Sequence, residues 1–302
     1  MKDFISVDQL TEKEFYTIYD IYRDYRDRYR KGETKFSDLR GYSILLPFFE
    51  NSTRTRTSFE LAGKILGADT INISGSSSSI KKGETLYDTI KTLEAMQADF
   101  IVMRHYMSGA AHIVAGRVKS RVINAGDGTH QHPSQAVLDA ITILEKKGKI
   151  EGLKIAIIGD ILHSRVARSD IKLLHMLGAE ITICGPQTML PRHLEPFEVD
   201  FVTTDVNDAL KDKDVAIFLR IQLERQKKPF FSTVNEYSIK YGLNQERLNL
   251  LKEDAVIMHP GPVNRGVEIQ SELVYGSRSL ILEQVETGLF TRMAIYRFLL
   301  DS

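Results

Sequence analysis

The sequence predicts an α/β protein with two doubly wound parallel-sheet domains. Short apolar runs rich in isoleucine and valine alternate with segments of helical periodicity along most of the chain. Such runs are typical of parallel strands that helices bury on both faces of a sheet. The alternation starts a second time at Lys154, and a chain of 302 residues corresponds to about two domains of ordinary size.

The first series opens with an amphipathic helix over residues 7–30, where Leu10, Phe15 and Tyr22 recur at near-helical spacing among charges that form a solvated face. Strands and helices alternate after Gly41. The predicted strands are YSILLPFFE (42–50), DTINIS (69–74), ADFIVMR (98–104) and SRVINAGD (120–127). The helices that follow them are STRTRTSFELAGKILGA (52–68), ETLYDTIKTLEAM (84–96), a short segment of small residues and PSQAVLDAITILEKKG (133–148).

The second series repeats this pattern and ends in a helical tail from Leu280 to Leu300. Its predicted strands are KIAIIGD (154–160), EITICGP (180–186), DVAIFLR (214–220) and AVIMHPG (255–261), with the helix RVARSDIKLLHMLGA (165–179) after the first of them. The two domains are therefore expected to join near the helix that follows Pro133.

Composition excludes several classes of protein. Forty Lys and Arg balance 40 Asp and Glu, so the chain has no overall attraction for nucleic acid or an anionic membrane. The single cysteine, Cys184, excludes an internal disulfide and fits a reducing compartment. The charged N-terminus is unlike a signal peptide, and no apolar run approaches the roughly 18 residues of a membrane span.

Polar clusters follow six of the predicted strands. They are ENSTRTRT (50–57), Arg104-His105, GDGTHQHPSQ (126–135), GDILHSR (159–165), LRIQLER (219–225) and HPGPVNR (259–265). Ligands of α/β folds bind at the carboxyl ends of the strands. Clusters of Arg, His, Ser and Thr at these ends predict a convergent site for anions.

The segment from Ser52 to Thr57 leaves a buried strand and enters a helix. A helix N-terminus offers unpaired N–H groups to a phosphate, and Arg54 adds a planar fork that suits phosphate oxygens. A simple Ser/Thr cap with surface arginines is the alternative. Two arginines beside several hydroxyls favour phosphate binding, and the sequence contains no nucleotide P-loop motif.

The pair His130 and His132 allows two interpretations. With Asp127 they resemble a metal-ligand set, although a catalytic zinc needs three ligands with supporting contacts. Pro133 instead fits the first position of a helix. At that helix start, His132 can donate to a substrate carbonyl oxygen and Gln135 can meet an amide, and this second interpretation is favoured.

The first turn of the second domain lacks the G-x-G-x-x-G fingerprint of dinucleotide sites and presents Arg165 instead. Arg220 and Gln222 follow another strand of that domain. A substrate with two carboxylates would need two such arginine forks, whereas either arginine alone is more often part of a surface ion pair. Lys81 and Lys82 lie in a predicted Ser-rich loop, where plain solvent-exposed charges are the alternative to a role in binding. Cys184 is expected to be a buried strand residue and not a nucleophile.

These motifs together resemble those of the carbamoyltransferase family over essentially the whole chain. F-F-E-N-S-T-R-T-R-T-S-F-E (48–60) and H-P-S-Q (132–135) are typical of the family. K-K-G-E-T (81–85), R-x-Q (220–222) and H-P-G-P-V-N-R (259–265) are similar to its aspartate branch. The ornithine branch has a cysteine after the histidine of the last motif, where this chain has Pro260.

The resemblance implies a role for each matching position. The residues for the phosphate of carbamoyl phosphate are Ser52, Thr53, Arg54, Thr55 and Arg104. Those for its carbonyl oxygen are Thr55, Arg104 and His132, and those for its NH2 group are Gln135 and the backbone carbonyls of Gly261 and Pro262. Those for the aspartate carboxylates are Arg165, Arg220, Gln222 and Lys82, with Ser78 and Lys82 reaching in from a neighbouring subunit.

The resemblance also implies transfer of a carbamoyl group to the α-amine of L-aspartate, the committed step of de novo pyrimidine biosynthesis, in a cytoplasmic enzyme without metal or cofactor. A carbamoyl-phosphate domain (1–133 with the helix 283–302) and an aspartate domain (134–282) are expected to form the site in their cleft and at a subunit interface. The expected assembly is a homotrimer or a dimer of trimers, with regulatory chains or a dihydroorotase as candidate partners. Three alternatives stay open: another amine acceptor, a dinucleotide-dependent oxidoreductase, and a catalytically silent subunit.

Overall fold

The computed structural model describes residues 1–74, 85–194, 197–221 and 233–301. The chain divides into two compact units, Met1–Leu138 with Glu286–Ser302, and Asp139–Val285. Each unit is built on its own sheet, and every strand pairing within these sheets is parallel. In the part of the chain that the structure describes, no helix is long and apolar enough to cross a membrane.

The first unit holds a four-stranded sheet in the order β2-β1-β3-β4. Its strands are β1 (Ser43–Phe48), β2 (Asp69–Ser74), β3 (Phe100–His105) and β4 (Arg121–Asp127). Its helices are α1 (Glu12–Arg30), α2 (Thr53–Ile65), α3 (Leu86–Ala95) and α4 (Ala110–Ala115), and α5 (Pro133–Lys147) begins in it.

The second unit holds a five-stranded sheet in the order β7-β6-β5-β8-β9. Its strands are β5 (Lys154–Ile158), β6 (Glu180–Cys184), β7 (Phe201–Thr203), β8 (Val215–Phe218) and β9 (Val256–Met258). Its helices are α6 (Arg165–Met176), α7 (Val206–Leu210), α8 (Val234–Tyr241) and α9 (Gln245–Leu248), and α10 (Ile281–Asp301) starts in it.

The predicted α/β class and the two parallel sheets are confirmed, and the chemistry of the strands explains them. In β1, Ile44 to Phe48 are all buried, as expected for a strand covered on both faces. Pro47 interrupts this apolar run and lacks an N–H group to donate. Leu45 before it and Phe48 after it still pair with β3, at Ile101 and Arg104.

Two sequence predictions need correction. The helix predicted over residues 7–30 is a 3-10 turn at Val7–Gln9 followed by α1, which starts at Glu12. Thr11 ends the first segment because its hydroxyl accepts from the N–H of Glu14, whose carboxylate accepts from the N–H of Thr11. The edge strand β7 and the helices α7, α8 and α9 were not predicted, since each is too short to show a clear period.

The helical tail predicted from Leu280 to Leu300 is α10, and its residues from Glu286 onward belong to the first unit. Tyr296 is completely buried there, with its ring 5.9 Å from that of Phe59 and 5.4 Å from that of Phe100. Arg292 donates to the hydroxyl of Ser58 at 2.8 Å. The end of the chain therefore completes the core of the unit in which the chain begins.

Candidate active site

In the first unit, three neighbouring strands deliver the predicted anion-binding residues. β1 leads to Ser52, Arg104 lies near the end of β3, and β4 leads to His132. Because β1 pairs with β3 and β3 pairs with β4, all in parallel, the carboxyl ends of these strands lie side by side along one edge of the sheet. The structure thus brings the three clusters of this unit to the same edge.

Ser52 is the N-cap residue of α2, but its side chain makes no capping hydrogen bond. The first turn of this helix carries no acidic residue, so no carboxylate of that turn offsets the positive end of the helix dipole. Thr53 is the first helical residue, Arg54 is exposed and Thr55 is buried. A helix N-terminus of this kind, with hydroxyl groups and a guanidinium beside it, suits a phosphate group.

The Arg104 side chain contacts residues on both sides of β3. Its Nη1 donates to the carbonyl oxygen of Ala125 in β4 at 3.0 Å, and its Nε lies 3.4 Å from Oε2 of Glu50. The Arg104 backbone also fixes the end of β1, because its carbonyl accepts from the N–H of Phe49 at 2.9 Å. The guanidinium is therefore oriented by both neighbouring strands, and the contribution of Glu50 is one that the sequence did not reveal.

His132 and Gln135 lie at the start of α5 and are both buried. The carbonyl oxygen of His132 accepts from the N–H of Gln135 at 2.9 Å and of Ala136 at 3.3 Å, so His132 caps the helix through its backbone. Pro133 is the first helical residue, as its missing N–H and fixed φ favour. This geometry agrees with the helix-start interpretation of the motif.

The alternative of a metal site at His130, His132 and Asp127 finds no support among the residues described, which include no cluster of three or more potential metal ligands. The Asp127 carboxylate instead accepts hydrogen bonds from protein groups, including Nδ1 of His130 at 3.1 Å. The His130 side chain itself is 43% exposed. It lies at the surface and makes a local contact with Asp127.

The second unit repeats the arrangement with three neighbouring strands of its own sheet. β5 leads to Arg165, β8 leads to Arg220, and β9 leads to Gly261 and Pro262. β8 pairs in parallel with both β5 and β9, so these carboxyl ends also lie side by side. The predicted arginines of this unit therefore share one edge of the sheet with the Gly261-Pro262 turn.

Arg165 is the first residue of α6 and is buried. The Ser164 hydroxyl caps this helix by accepting from the N–H of Ala167 at 3.1 Å. The turn before it needs a glycine, because Gly159 has a φ of +134° and a Cβ at this position would lie 2.9 Å from the Cβ of Leu219. Because Gly159 has no side chain, the turn that leads to Arg165 can pack against Leu219, the residue before Arg220.

Glu268 joins the segments that follow β8 and β9. Its buried carboxylate accepts from the N–H of Ile221 at 2.8 Å and from the N–H and the side-chain amide of Asn264, both at 2.7 Å. The Asn264 amide also donates to the carbonyl oxygen of Ile221 at 3.0 Å. Sequence reasoning missed this residue, since nothing in the motif marks its glutamate as buried.

Asp170 and Cys184 are among the groups of the second unit whose pKa values are shifted. Burial raises the pKa of Asp170 well above its usual value, and the nearby carboxylate of Asp139 raises it further. Burial also raises the pKa of the Cys184 thiol to about 12. The prediction that Cys184 is a buried strand residue is confirmed, and such a thiol is a poor nucleophile.

Three of the predicted site residues lie outside the described residues. They are Ser78, Lys82 and Gln222. The roles assigned to them stay predictions, as do the roles assigned to the residues placed above.

Two α/β units, each with basic and hydroxyl-bearing strand ends, define a class of enzyme that handles small anions. Residues 2–145 match the family described as aspartate/ornithine carbamoyltransferase, carbamoyl-P binding domain. Residues 151–299 match the Asp/Orn binding domain of the same family. The chain therefore belongs to the aspartate/ornithine carbamoyltransferase family.

Relatives with known names agree with this assignment. The aspartate carbamoyltransferase catalytic subunits of Ruminiclostridium cellulolyticum and Syntrophotalea carbinolica are each 52% identical to the chain, over 97% of its length and 94% of theirs. The solved aspartate transcarbamoylase of Trypanosoma cruzi in complex with carbamoyl phosphate is 30% identical, with a TM-score of 0.90 over 98% of this chain and 95% of that one. The ornithine carbamoyltransferase of Pyrococcus furiosus is 26% identical, with a TM-score of 0.86 over 98% and 96%.

Proposed function

We propose that the protein transfers the carbamoyl group of carbamoyl phosphate to the α-amine of L-aspartate, giving N-carbamoyl-L-aspartate and phosphate, the committed step of de novo pyrimidine biosynthesis. The observation that carries the proposal is the uncapped N-terminus of α2 beside Arg104. The names of the relatives at 52% identity support aspartate as the acceptor. Pro260, in place of the cysteine expected of the ornithine branch, supports the same choice.

In this proposal the first unit binds carbamoyl phosphate. The phosphate accepts hydrogen bonds from the N-terminus of α2, from Ser52, Thr53 and Thr55, and from the guanidinium groups of Arg54 and Arg104. Charge-assisted hydrogen bonds from arginine to phosphate are among the strongest that a protein makes. Glu50 and Ala125 hold Arg104 in place before the substrate binds. The Arg104 side chain therefore loses less conformational entropy on binding.

Donors and acceptors for the reacting group complete the carbamoyl-phosphate site. Thr55, Arg104 and His132 donate to the carbonyl oxygen, and Gln135 accepts from the NH2 group. The backbone carbonyls of Gly261 and Pro262 accept from the same NH2 group.

The aspartate site is proposed on the second unit. Arg165 and Arg220 bind the two carboxylates, since each guanidinium can form a bidentate pair with one of them. Gln222, together with Lys82 and Ser78 from a neighbouring subunit, completes the site. The domain limits 1–133 with 283–302, for carbamoyl phosphate, and 134–282, for aspartate, are part of the same proposal.

The reaction then follows from charge and position. The lone pair of the neutral α-amine attacks the carbamoyl carbon, and negative charge develops on the carbonyl oxygen, where Thr55, Arg104 and His132 stabilise it. The bond from carbon to the bridging oxygen breaks, and the departing phosphate takes up the proton that the amine loses. Holding the amine and the carbamoyl carbon close together in the reactive orientation lowers the barrier by up to roughly 7–11 kcal/mol.

The proposed assembly is a homotrimer or a dimer of trimers in the cytoplasm. The proposed exchange of Lys82 and Ser78 between subunits makes the trimer the smallest active unit. Regulatory chains and a dihydroorotase are the candidate partners, and no metal or cofactor enters the mechanism. Size-exclusion chromatography with light scattering, with and without each partner, tests the assembly.

A colorimetric assay for carbamoyl-aspartate tests the reaction, with ornithine as the competing acceptor. We expect turnover with aspartate and at least a hundredfold less with ornithine. Arg54→Ala should lower kcat by about 10²- to 10³-fold, the usual cost of removing one donor from a developing charge, while Arg56→Ala on the same helix serves as the matched control. Near-normal turnover of Arg54→Ala at saturating carbamoyl phosphate contradicts the proposed site.

A further inference from the structure

Asp127 lies at the end of β4, and its carboxylate accepts hydrogen bonds from four groups of the first unit. Oδ1 accepts from the side-chain amide of Asn124 at 2.8 Å and from the N–H of Gln131 at 3.1 Å. Oδ2 accepts from the N–H of Gly109 at 2.7 Å, and it lies 3.1 Å from Nδ1 of His130. The side chain is only 2% exposed. A buried carboxylate with this many donors is held in a single orientation.

These contacts determine where the chain enters α5. Residues 127–131 form a tight reversal in which the N–H of Asp127 donates to the carbonyl of Gln131 and the N–H of His130 donates to the carbonyl of Asp127. The Asp127 side chain closes the reversal from the other side by binding the N–H of Gln131. His132 follows directly. Its backbone is thus fixed by Asp127 on one side and by the first turn of α5 on the other.

The same carboxylate joins this reversal to the loop after β3. Gly109 is the N-cap residue of α4, has a φ of +80°, and donates its N–H to Asp127. Gly128 packs so closely on Ser108 that a Cβ there would overlap the serine. Arg104, five residues before Gly109, donates to Ala125, two residues before Asp127. One buried group therefore connects the two segments that carry Arg104 and His132.

We infer that Asp127 is a positioning residue for carbamoyl transfer, which acts by holding His132 where it can donate to the carbonyl oxygen of carbamoyl phosphate. This inference rests on the proposed function and adds a residue to which no role in the reaction has been given above. Asp127 does not touch the substrate in this account. Its effect passes through the backbone of Gln131 to His132.

A double-mutant cycle tests the inference because it separates an effect through His132 from general damage. The cycle compares the wild-type protein, Asp127→Asn, His132→Ala and the double variant in the carbamoyl-aspartate assay. An asparagine keeps one acceptor oxygen, so either Gln131 or Gly109 loses its partner, and the site loosens while the side-chain volume is kept. Displacement of a catalytic group by about 1 Å can cost on the order of 100-fold in rate.

We expect Asp127→Asn to lower kcat by about 10- to 100-fold while the KM for aspartate stays within about threefold of the wild-type value. In the His132→Ala background the same change should lower kcat by less than about threefold, since a group that is absent cannot be misplaced. If the fold-losses in kcat of Asp127→Asn and His132→Ala multiply in the double variant, the two residues act independently and the inference is overturned. A normal kcat in Asp127→Asn overturns it as well. An inactive wild-type protein refutes the proposed function instead, so the two failures are distinguishable.

Asp99→Ala is the control for stability, because it removes the single oxygen, Oδ2, that accepts both hydrogen bonds from Ser43. Asp99 lies at the opposite end of the same sheet, just before β3, where its carboxylate accepts from the N–H of Ser43 at 2.8 Å and from its hydroxyl at 3.0 Å. It thus also joins two strands, but far from the clusters at the carboxyl ends. Thermal melts of all variants show how much stability each change removes. The inference predicts that Asp99→Ala loses stability without loss of kcat, and an equal loss of kcat in Asp99→Ala and Asp127→Asn overturns it.

Discussion

Replacing Glu268 by glutamine should uncouple the segments after β8 and β9 at a measurable cost in stability. The carboxylate accepts from the N–H of Ile221 on one oxygen and from the N–H of Asn264 on the other. Glutamine has the same size but only one acceptor oxygen. In either orientation of the amide, its NH2 group meets an N–H donor that has no other acceptor in this arrangement.

The size of the effect follows from these contacts. A buried donor left without an acceptor costs about 1–3 kcal/mol, and the remaining hydrogen bonds lose the extra strength that a charged acceptor gives them. Because Asn264 is only partly buried, we take about 2 kcal/mol for the loss in the free energy of unfolding. For a unit of this size that corresponds to a fall in Tm of about 4–8 °C.

Urea unfolding followed by far-UV circular dichroism measures this loss, since the chain contains no tryptophan to report by fluorescence. Protein concentration must be kept constant, because assembly contributes to apparent stability. Glu272→Gln, an exposed change in the same segment, is the control and should stay within about 0.5 kcal/mol of the wild-type protein. Equal stabilities of the two variants refute the role assigned to Glu268.

Three further predictions concern the second unit. Asp170→Asn should stabilise the protein more at pH 8 than at pH 5. Because its pKa is raised, Asp170 binds its proton more tightly in the folded protein than in the unfolded chain, so the wild-type protein loses stability as the pH rises above the pKa of Asp170 in the unfolded chain. Thermal melts of both proteins at the two pH values measure the difference. Cys184 should react with a thiol reagent at least 100-fold more slowly in the native than in the urea-unfolded protein, because its thiol is buried with a pKa of about 12; equal rates refute this. Gly159→Ala should lower Tm by several degrees, since the added Cβ meets Leu219 at a φ of +134°, and a thermal melt equal to that of the wild-type protein contradicts it.

The sequence predicts the sheets well because buried parallel strands leave a continuous apolar signal, as in Ile155 to Ile158 of β5. It fails at β7, where three half-exposed or exposed residues pair only with β6 and carry no such signal. The prediction that the first helix starts at residue 7 is wrong for a related reason. The apolar period continues through Leu10, but the capping of Thr11 decides where the helix begins.

The sequence predicts the residues that are proposed to bind a ligand, but it does not predict the buried residues that hold the site together through contacts within the protein. Arg54, Arg104 and His132 stand out because cations and hydroxyls cluster after a strand. Glu268 does not, since an isolated acidic residue in a loop is usually exposed, and the sequence drew attention to Asp127 only as a possible metal ligand. Only the three-dimensional arrangement shows that each is buried and joins two strand ends.

The order of the chain has a consequence for how the protein forms during synthesis. Residues 139–285 are contiguous, whereas the first unit needs residues 286–302 to fill its core with Tyr296. The part that the ribosome makes first must therefore wait for the last turns of α10, while the part made second can finish earlier. A truncation that removes residues 286–302 should thus damage the first unit and spare the second.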